Sequence, residues 1–240
     1  DLHRAAPDHT AITGDLTHLG TPAEFREAAE WLRRLGKPSD ITLVPGNHDL
    51  YVPEPWTETL ALWEPYLASD PGTGTALAPA GFPSLRVRRD LALIGVNSAH
   101  PTAPFLAVGS VGAQQRRALA RVLRETGARG LCRVMLIHHP PVPGSIKWRK
   151  RLTDSGELAA LVAECGVELV LHGHDHRATL DWFDTPAGRA PVIGVRSASA
   201  LGGRPGRRAQ YHLYRIAAAQ PGWNLWVSVR ECAANLDFVQ

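Results

Sequence analysis

Short apolar runs alternate with longer stretches of helical periodicity, which predicts β-strands that alternate with α-helices. The run LALIGV at residues 91–96 is the longest continuous apolar segment and is typical of a buried strand. Further strands are predicted at residues 10–13, 41–44, 85–87, 133–137 and 167–171. Helices are predicted at residues 22–35, 55–67, 112–125 and 156–165, with loops at 70–84 and 140–148. This order of elements indicates an α/β domain.

The helix predicted at residues 22–35 has the clearest boundaries. Thr21 supplies the N-cap, Pro22 occupies the first turn and Gly36 ends the periodic pattern. Helical spacing predicts that one side of this helix faces the core. The positions assigned to that side are Phe25, Ala28, Ala29, Trp31, Leu32 and Leu35.

The pattern changes after residue 176, because the remaining apolar segments are not separated by helical ones. Strand-like segments lie at residues 178–183, 192–195, 211–216 and 224–229. This succession predicts an antiparallel region at the end of the chain. Neither an internal repeat nor a linker divides the sequence, so residues 1–240 are interpreted as a single domain.

Composition argues against several classes of protein. No apolar run approaches the roughly 18 residues that would predict a membrane span. The formal net charge of +3 is too small to favour a nucleic-acid partner. The three cysteines, Cys132, Cys165 and Cys232, have no C-x-x-C spacing. They favour reduced thiols in the cytoplasm over a disulfide framework or a thiolate metal site.

Four of the predicted strands share one feature, since each runs directly into a loop of polar and glycine residues. These loops are Gly14-Asp15, Pro45-Gly46-Asn47-His48-Asp49, His138-His139-Pro140-Pro141 and His172-Gly173-His174-Asp175-His176. Because ligands bind at the carboxyl ends of strands in open α/β sheets, we expect the four loops to meet at one edge. Glycine in these loops lets the backbone turn sharply and approach an ion closely.

The side chains expected at that edge are carboxylate, amide and imidazole groups, which suit Mn, Fe, Zn or Co ions. A carboxylate can bridge two such ions, and two ions can clamp the oxygen atoms of a displacement at phosphorus. His174 and His176 have an alternate spacing that puts both imidazoles on one side of an extended turn. The sequence therefore predicts a metal site that is suited to phosphoester chemistry.

Taken in order, G-D-x-x-x, G-N-H-D, H-H-P-P and G-H-x-H resemble the motifs of the calcineurin-like metallophosphoesterases, from about Asp8 to His176. The resemblance implies an α/β fold, a four-layer α/β/β/α sandwich with two mixed sheets. It also implies hydrolysis of a small phosphomonoester or phosphodiester by a metal-bound hydroxide at a binuclear site. The chain looks most similar to the bacterial phosphodiesterase branch, which favours a diester.

The same resemblance implies roles for individual residues. Asp15 is expected to bridge two transition-metal ions (Mn, Fe, Zn or Co). Asn47, His138 and His174 are expected to complete the ligands of one ion, and His176 to bind the other. His48 is expected to contact the scissile phosphate, where it would stabilise charge or protonate the leaving group.

Structural interpretations of these histidines and loops remain open. A Gly-Asp pair after a strand is usually a turn, so Asp15 and Asn47 could both be turn residues. His139 falls on a variable position of its motif and is interpreted either as a side chain that supports the ligands from behind or as a packed wall of the site. His172 is interpreted as a strand-end residue with satisfied hydrogen bonds. No role is assigned to His18, His100 or His212.

Two departures from the family pattern concern the site directly. The family has Asp or Asn, which can orient the catalytic histidine, at the position of His18, so the partner of His48 is not defined. Asp1-Leu2-His3 spells the D-x-H motif with which the family begins, but only residues 4–9 separate it from the next strand. A parallel crossover needs about a dozen residues. We interpret this motif as a false match in or near the tail of a helix, in a chain that lacks an N-terminal segment.

The basic cluster at residues 147–151 follows the His138 loop. Arg149 and Lys150 are the candidate substrate contacts, and a solvated loop is the alternative. Two other functions remain open for the whole chain, a non-catalytic metal-binding scaffold and a nucleic-acid-processing phosphoesterase. His48 argues against the scaffold, because a structural metal site does not need it.

Overall fold

The structure is a computed structural model that describes residues 1–51, 53–73, 81–200, 208–233 and 238–239. Two layers of β-structure face each other, and helices cover their outer faces. The predicted α/β class is confirmed, and one of the two predicted mixed sheets is present as a six-stranded sheet. Among the described residues the other is divided into a parallel pair and an antiparallel sheet. Part of the loop predicted at residues 70–84 lies outside the described residues.

The larger layer is a mixed sheet of six strands. Its strands are β3 (Ser84–Arg88), β4 (Leu91–Val96), β5 (Cys132–Ile137), β6 (Leu169–His172), β7 (Thr179–Thr185) and β8 (Gly188–Gly194), in the order β3-β4-β5-β6-β8-β7. Strands β4, β5, β6 and β8 are parallel, and the edge strands β3 and β7 pair antiparallel to their neighbours. The parallel strands are buried on both faces, which explains their continuous apolar sequences.

The smaller layer contains two separate sheets among the described residues. Strands β1 (Thr10–Ile12) and β2 (Ile41–Leu43) form a parallel pair. Strands β9 (Gln210–Ala218), β10 (Trp223–Cys232) and β11 (Phe238–Val239) form an antiparallel sheet. The strands after residue 176 do form antiparallel hairpins, as predicted. The first hairpin, β7–β8, joins the large sheet, whereas β9–β10 belongs to the smaller layer.

The helices are α1 (Leu2–Ala5), α2 (Pro22–Leu35), α3 (Glu64–Leu67), α4 (Ala113–Ala128) and α5 (Ser155–Cys165). The prediction of a continuous helix at residues 55–67 is wrong. Two 3-10 turns, Trp56–Glu58 and Leu60–Trp63, precede the short α3. Proline explains the interruption, because Pro65 has no N–H to donate and is accepted only in the first turn of α3. Further 3-10 turns lie at Pro38–Asp40, His48–Leu50 and Trp148–Lys150.

The inner face of the large sheet packs against the smaller layer. Leu93, Leu136 and Leu171 project from successive parallel strands into this interface and are buried. Leu43 of β2 and Ile216 of β9 meet them from the other side. This core holds the ends of strands from both layers at fixed positions.

The outer face of the same sheet packs against two helices. The neighbours of the inner-facing residues along the strands, Ile94, Met135 and Val170, point to this side and are fully buried. Leu119 of α4 and Leu158 of α5 cover them. The sheet therefore separates two apolar clusters.

Helix α2 buries four of its six predicted core positions. Trp31 is an exception, because its side chain remains 42% exposed. Successive residues of an α-helix are about 100° apart, so Trp31 lies beside the buried stripe that Leu32 occupies. The prediction that placed Trp31 on the core face is wrong.

The first turn of α2 forms a capping box that also holds the preceding loop. The side chain of Thr21 accepts from the backbone N–H of Glu24, and the Glu24 carboxylate accepts from the backbone of Thr21. The same carboxylate accepts from the backbone N–H groups of His18 and Leu19 at 3.0 and 3.1 Å. Burial raises the pKa of Glu24, but these hydrogen bonds outweigh it and lower the pKa to about 2.

Because the folded protein depresses the pKa of Glu24 from 4.5 to about 2, this carboxylate stabilises the fold above pH 4.5. Its contribution is lost as the pH falls towards 2. We expect the unfolding free energy of Glu24→Gln to be lower than wild type at pH 7, with the difference shrinking in acid. Denaturant titrations between pH 7 and pH 3 measure it. Glu27→Gln on the exposed side of α2 is the control. A difference that does not depend on pH would contradict the prediction.

Candidate metal centre

Four loops meet at the same end of the two β-layers. The loops after β1 and β2 leave the smaller layer, and those after β5 and β6 leave the large sheet. The expectation of a single sheet edge is therefore corrected to two facing sheet ends. The packed inner core between the layers brings the four loops together.

Four of the predicted site residues place their polar atoms together. The Asn47 Oδ1 lies 3.1 Å from His138 Nε2 and 2.8 Å from His174 Nδ1. The two imidazole nitrogens are 3.2 Å apart, and Asp15 Oδ2 lies 3.3 Å from His138 Nε2. One ligand atom each from Asp15, His138 and His174 lies within 4.8 Å of the others. This is the donor set that the sequence predicted for one metal ion.

A backbone contact orients His138 towards the centre of this group. Its Nδ1 lies 2.6 Å from the carbonyl oxygen of Thr13. A carbonyl can only accept, so Nδ1 donates and Nε2 is the ring nitrogen that faces Asn47 Oδ1 and Asp15. A carboxylate, an amide oxygen and two imidazoles form a donor set that fits a transition-metal ion.

Burial and charge shift the pKa values of the same residues. Burial raises the pKa of Asp15, but the hydrogen bond and the charge of His138 outweigh the effect of burial, so the pKa is lowered overall. Burial lowers the pKa of His138, whereas Asp15 and the Thr13 carbonyl raise it overall. Burial, followed by the charge of His138, lowers the pKa of His174 to about 3. His174 is therefore a neutral imidazole at pH 7, which is the form that binds metals.

Two glycines allow the loops after β1 and β2 to approach this closely. Gly14 has φ +93°, and a Cβ atom there would lie 2.5 Å from the backbone nitrogen of Gly46. A Cβ atom on Gly46 would overlap the carboxylate of Asp15. Asp15 itself has φ +59°, a conformation that few residues other than glycine adopt. Backbone strain of this kind is common where a site holds a side chain in place.

Asp49 ties the same two loops together, which the sequence analysis did not predict. Its buried carboxylate accepts from the backbone N–H groups of Asp15, Thr17 and Gly46 at 2.9, 2.9 and 2.8 Å. It also accepts from the Thr17 hydroxyl. Burial raises the pKa of Asp49 more than these hydrogen bonds lower it. The signal available in the sequence was the last letter of G-N-H-D.

His48 lies beside the group, and its partner is a backbone atom. Its Nδ1 donates to the carbonyl oxygen of His18 at 2.7 Å. The two imidazole rings stack with their centroids 5.6 Å apart. Its Nε2 lies 3.4 Å from the hydroxyl oxygen of Tyr51. The backbone carbonyl of His18 is thus the partner of His48 that the sequence left undefined.

A model of one protein family, the calcineurin-like phosphoesterases, matches residues 1–178. The chain belongs to this family. A probable cyclic nucleotide phosphodiesterase of Synechococcus sp. is 28% identical over 181 residues, which cover 74% of the chain and 61% of that protein. The chain thus spans less than two thirds of this relative.

A solved structure supports the same fold. The chain matches the sulfate thiohydrolase SoxB of Thermus thermophilus, in complex with glycerol, with a TM-score of 0.54 and 20% identity. The match covers 96% of the chain and 40% of SoxB. At this identity it bears on the fold alone.

Among the described residues, the cluster of possible metal ligands includes neither His176 nor the residues of the motif at 1–3. His176 is exposed, with φ +54°, and its predicted role as a ligand stays a prediction. The Asp1 carboxylate contacts the Tyr211 hydroxyl, and His3 Nε2 lies 3.2 Å from the Leu35 carbonyl. Residues 2–5 form the short helix α1, and the interpretation of this motif as a false match stays a prediction.

The other histidines make the contacts of packed or surface residues. His139 is buried against the group, and its Nδ1 lies 2.8 Å from the Ser98 hydroxyl. Burial lowers the pKa of His139 well below its usual value. His172 ends β6 and lies 3.4 Å from the Thr179 hydroxyl. His100 and His212 form hydrogen bonds with residues that are close to them in sequence, Pro101 and Tyr214.

Arg149 and Lys150, the candidate substrate contacts, line a cleft beside the metal-ligand group. The charge of Lys150 contributes, after burial and His138, to the lowered pKa of His174. Both residues are exposed. They thus lie where an anionic group bound near His174 would meet positive charge.

Two expectations from composition can be compared with the structure. The cysteines Cys132, Cys165 and Cys232 are all free. Within the described ranges, no helix combines the length and apolar character that a membrane crossing requires.

Proposed function

We propose that the chain provides the catalytic site of a metal-dependent phosphoesterase that hydrolyses a phosphodiester or phosphomonoester. The observation that carries this proposal is the convergence of Asn47 Oδ1, His138 Nε2 and His174 Nδ1 within 3.2 Å of one another, with the Asp15 carboxylate beside them. Family membership supports the reaction class. The alternative of a non-catalytic scaffold makes no use of His48.

Asp15, Asn47, His138 and His174 would hold one transition-metal ion (Mn, Fe, Zn or Co). Asp15 and His176 would contribute to a second, which makes the proposed site binuclear. Bound ions of this kind lower the pKa of water and polarise phosphoryl oxygens. The residues of the chain contribute fixed positions, because Thr13 orients His138 and Asp49 holds the Asp15 loop.

The role proposed for His48 follows from its tautomer. Nδ1 is committed to the carbonyl of His18, so Nε2 is the atom free to meet a phosphate oxygen or a leaving group. When both ring nitrogens carry a proton, the Nε2 proton would pass to the departing oxygen and leave a neutral ring that keeps its proton on Nδ1. Arg149 and Lys150 would neutralise the charge of the bound ester.

A diester is favoured over a monoester on two grounds. The relative from Synechococcus sp. is described as a probable cyclic nucleotide phosphodiesterase. The cleft that adjoins the metal-ligand group is about 1080 Å³, which is far larger than a single phosphate needs. A nucleic-acid-processing role has less support, because the formal net charge is +3.

The test is hydrolysis of bis(p-nitrophenyl) phosphate and p-nitrophenyl phosphate in the presence of Mn²⁺, with Asp15→Ala as the inactive control. We expect Mn-dependent release of p-nitrophenol, faster from the diester. Activity that persists after exhaustive chelation, or in Asp15→Ala, would contradict a metal-dependent mechanism. Metal binding without turnover of either ester would favour the scaffold.

A further inference from the structure

A cleft lies beside His48, which contacts one of its lining residues. Tyr51, whose hydroxyl lies 3.4 Å from His48 Nε2, is one of the residues that line the cleft. One wall of the cleft, called the outer wall below, consists of two segments, residues 102–107 and 147–150. The cleft volume of about 1080 Å³ accommodates a ligand of nucleotide size.

Backbone hydrogen bonds hold the two segments of the outer wall together. The N–H of Ala107 donates to the carbonyl of Arg149 at 2.9 Å, and the N–H of Gly109 donates to the carbonyl of Arg151 at 3.0 Å. The Thr102 hydroxyl donates to the carbonyl of Leu106 at 2.7 Å and closes the first segment into a tight loop. The wall is therefore an ordered surface and not a pair of independent loops.

Phe105 stands at the tip of this loop in an unfavourable conformation. Its φ is +68°, and its side chain is 95% exposed. A bulky residue rarely adopts this backbone region. An exposed phenyl ring also contributes none of the free energy that its burial would give to folding. Neither packing nor backbone preference explains this residue, so a contact with a ligand is the simplest physical reason for it.

Trp148 lies on the second segment and adds a further aromatic surface. Its side chain is 61% exposed, and the guanidinium of Arg149 lies 5.1 Å from its ring centroid. This cation–π contact orients the indole and keeps a positive charge beside it. Lys147 and Lys150 add two more charges to the same wall. Among the residues that the structure describes, no carboxylate pairs with any of these three cations within 4.0 Å.

We propose that Phe105 and Trp148 bind a planar aromatic group of the substrate, the size of a nucleobase, while the neighbouring cations bind its phosphate. This inference rests on the proposed function and narrows it to phosphate esters that carry an aromatic ring. A planar ring bound against this wall would stack on at least one of these side chains. An aliphatic ester of the same charge would meet the cations alone.

The experiment compares the binding of adenosine 5′-monophosphate with that of ribose 5-phosphate, measured by calorimetry in the presence of Mn²⁺. The two probes have the same phosphate and differ in the base. For the wild type we expect the nucleotide to bind about tenfold or more tightly than the sugar phosphate. Stacking of a base on aromatic side chains contributes enough binding free energy for such a difference. Equal affinities, or no measurable binding of either probe, would overturn the inference.

Two variants test the aromatic residues individually. Phe105→Gly removes the ring and relieves the positive φ, so the fold is retained. Trp148→Ala removes the second ring. Each is expected to reduce the preference for the nucleotide towards unity, with the affinity for ribose 5-phosphate unchanged. A preference that survives in both variants would also overturn the inference.

Trp182→Ala is the matched control. Trp182 is 42% exposed and has the guanidinium of Arg189 at 4.9 Å from its ring, but it belongs to β7, outside the cleft. This variant should bind both probes as the wild type does. Because the readout is binding, a chain that shows the preference but hydrolyses no ester would refute the proposed function alone. Turnover without any base preference would refute the aromatic site alone.

Discussion

Replacing His48 with alanine is expected to lower turnover of the diester by about 10²-fold or more, which is the usual effect of removing a general acid or an electrostatic contact to the transition state. Its Nδ1 is fixed by the His18 carbonyl, so its Nε2 is held ready for the substrate. Metal content is expected to stay close to that of the wild type, because none of the distances within the metal-ligand group involves the His48 ring. Steady-state kinetics and metal analysis of the same preparation measure the two effects.

His18→Ala is the control for this prediction. The substitution removes the stacked imidazole but keeps the backbone carbonyl that accepts from His48. A much smaller loss of turnover is therefore expected than for His48→Ala. If His48→Ala lost metal to the same extent as His174→Ala, His48 would be a ligand and the assigned role would be wrong.

Replacing His174 or Asn47 with alanine is expected to weaken metal binding by more than about 100-fold. Loss of residues that touch only the ligands typically costs 10–100-fold in affinity, and these two side chains are placed to contact the ion itself. Asn47 Oδ1 and His174 Nδ1 lie 2.8 Å apart, and each is within 3.2 Å of His138 Nε2. Competition with a chromogenic chelator, using Mn²⁺ or Zn²⁺, measures the affinity.

Two further variants sharpen this test. Asn47→Asp keeps an oxygen at the same position and is expected to retain metal, whereas Asn47→Ala is not. His100→Ala removes an imidazole outside the metal-ligand group and should bind metal as the wild type does. An unchanged affinity in His174→Ala would remove the central support for the proposed function.

The regular elements were predicted well where a segment was long or continuously apolar. Strand β4 at residues 91–96 and the amphipathic helices α2 and α4 are examples, because their patterns reflect burial on one or both sides. The segment at residues 55–67 was predicted wrongly. Its apolar spacing looks helical, but Pro65 and the irregular backbone of Thr59, with φ −127° and ψ −109°, divide it into short turns.

The residues of the site could be named from the sequence, whereas the atoms that hold them could not. Glycine followed by a polar residue after a strand is a local signal, and it identified Asp15, Asn47, His138 and His174. The Thr13 and His18 carbonyls leave no such signal, because every residue carries a backbone carbonyl. The position of Phe105 left none either, since exposure depends on what the rest of the chain fails to cover.

The sequence by itself determined most of the strands and helices, with the segment at residues 55–67 as an exception, and it determined which polar side chains follow the strands. Both depend on residues that are neighbours along the chain. Tertiary structure alone decided that β1 and β2 belong to one layer and β5 and β6 to another, so that the site lies across two facing sheets. It also decided that the 102–107 and 147–150 segments form one wall beside His48. These arrangements depend on packing between residues that are distant in sequence, such as Leu43 against the inner face of the large sheet. No local pattern encodes such pairings, because many strand orders bury the same apolar residues equally well.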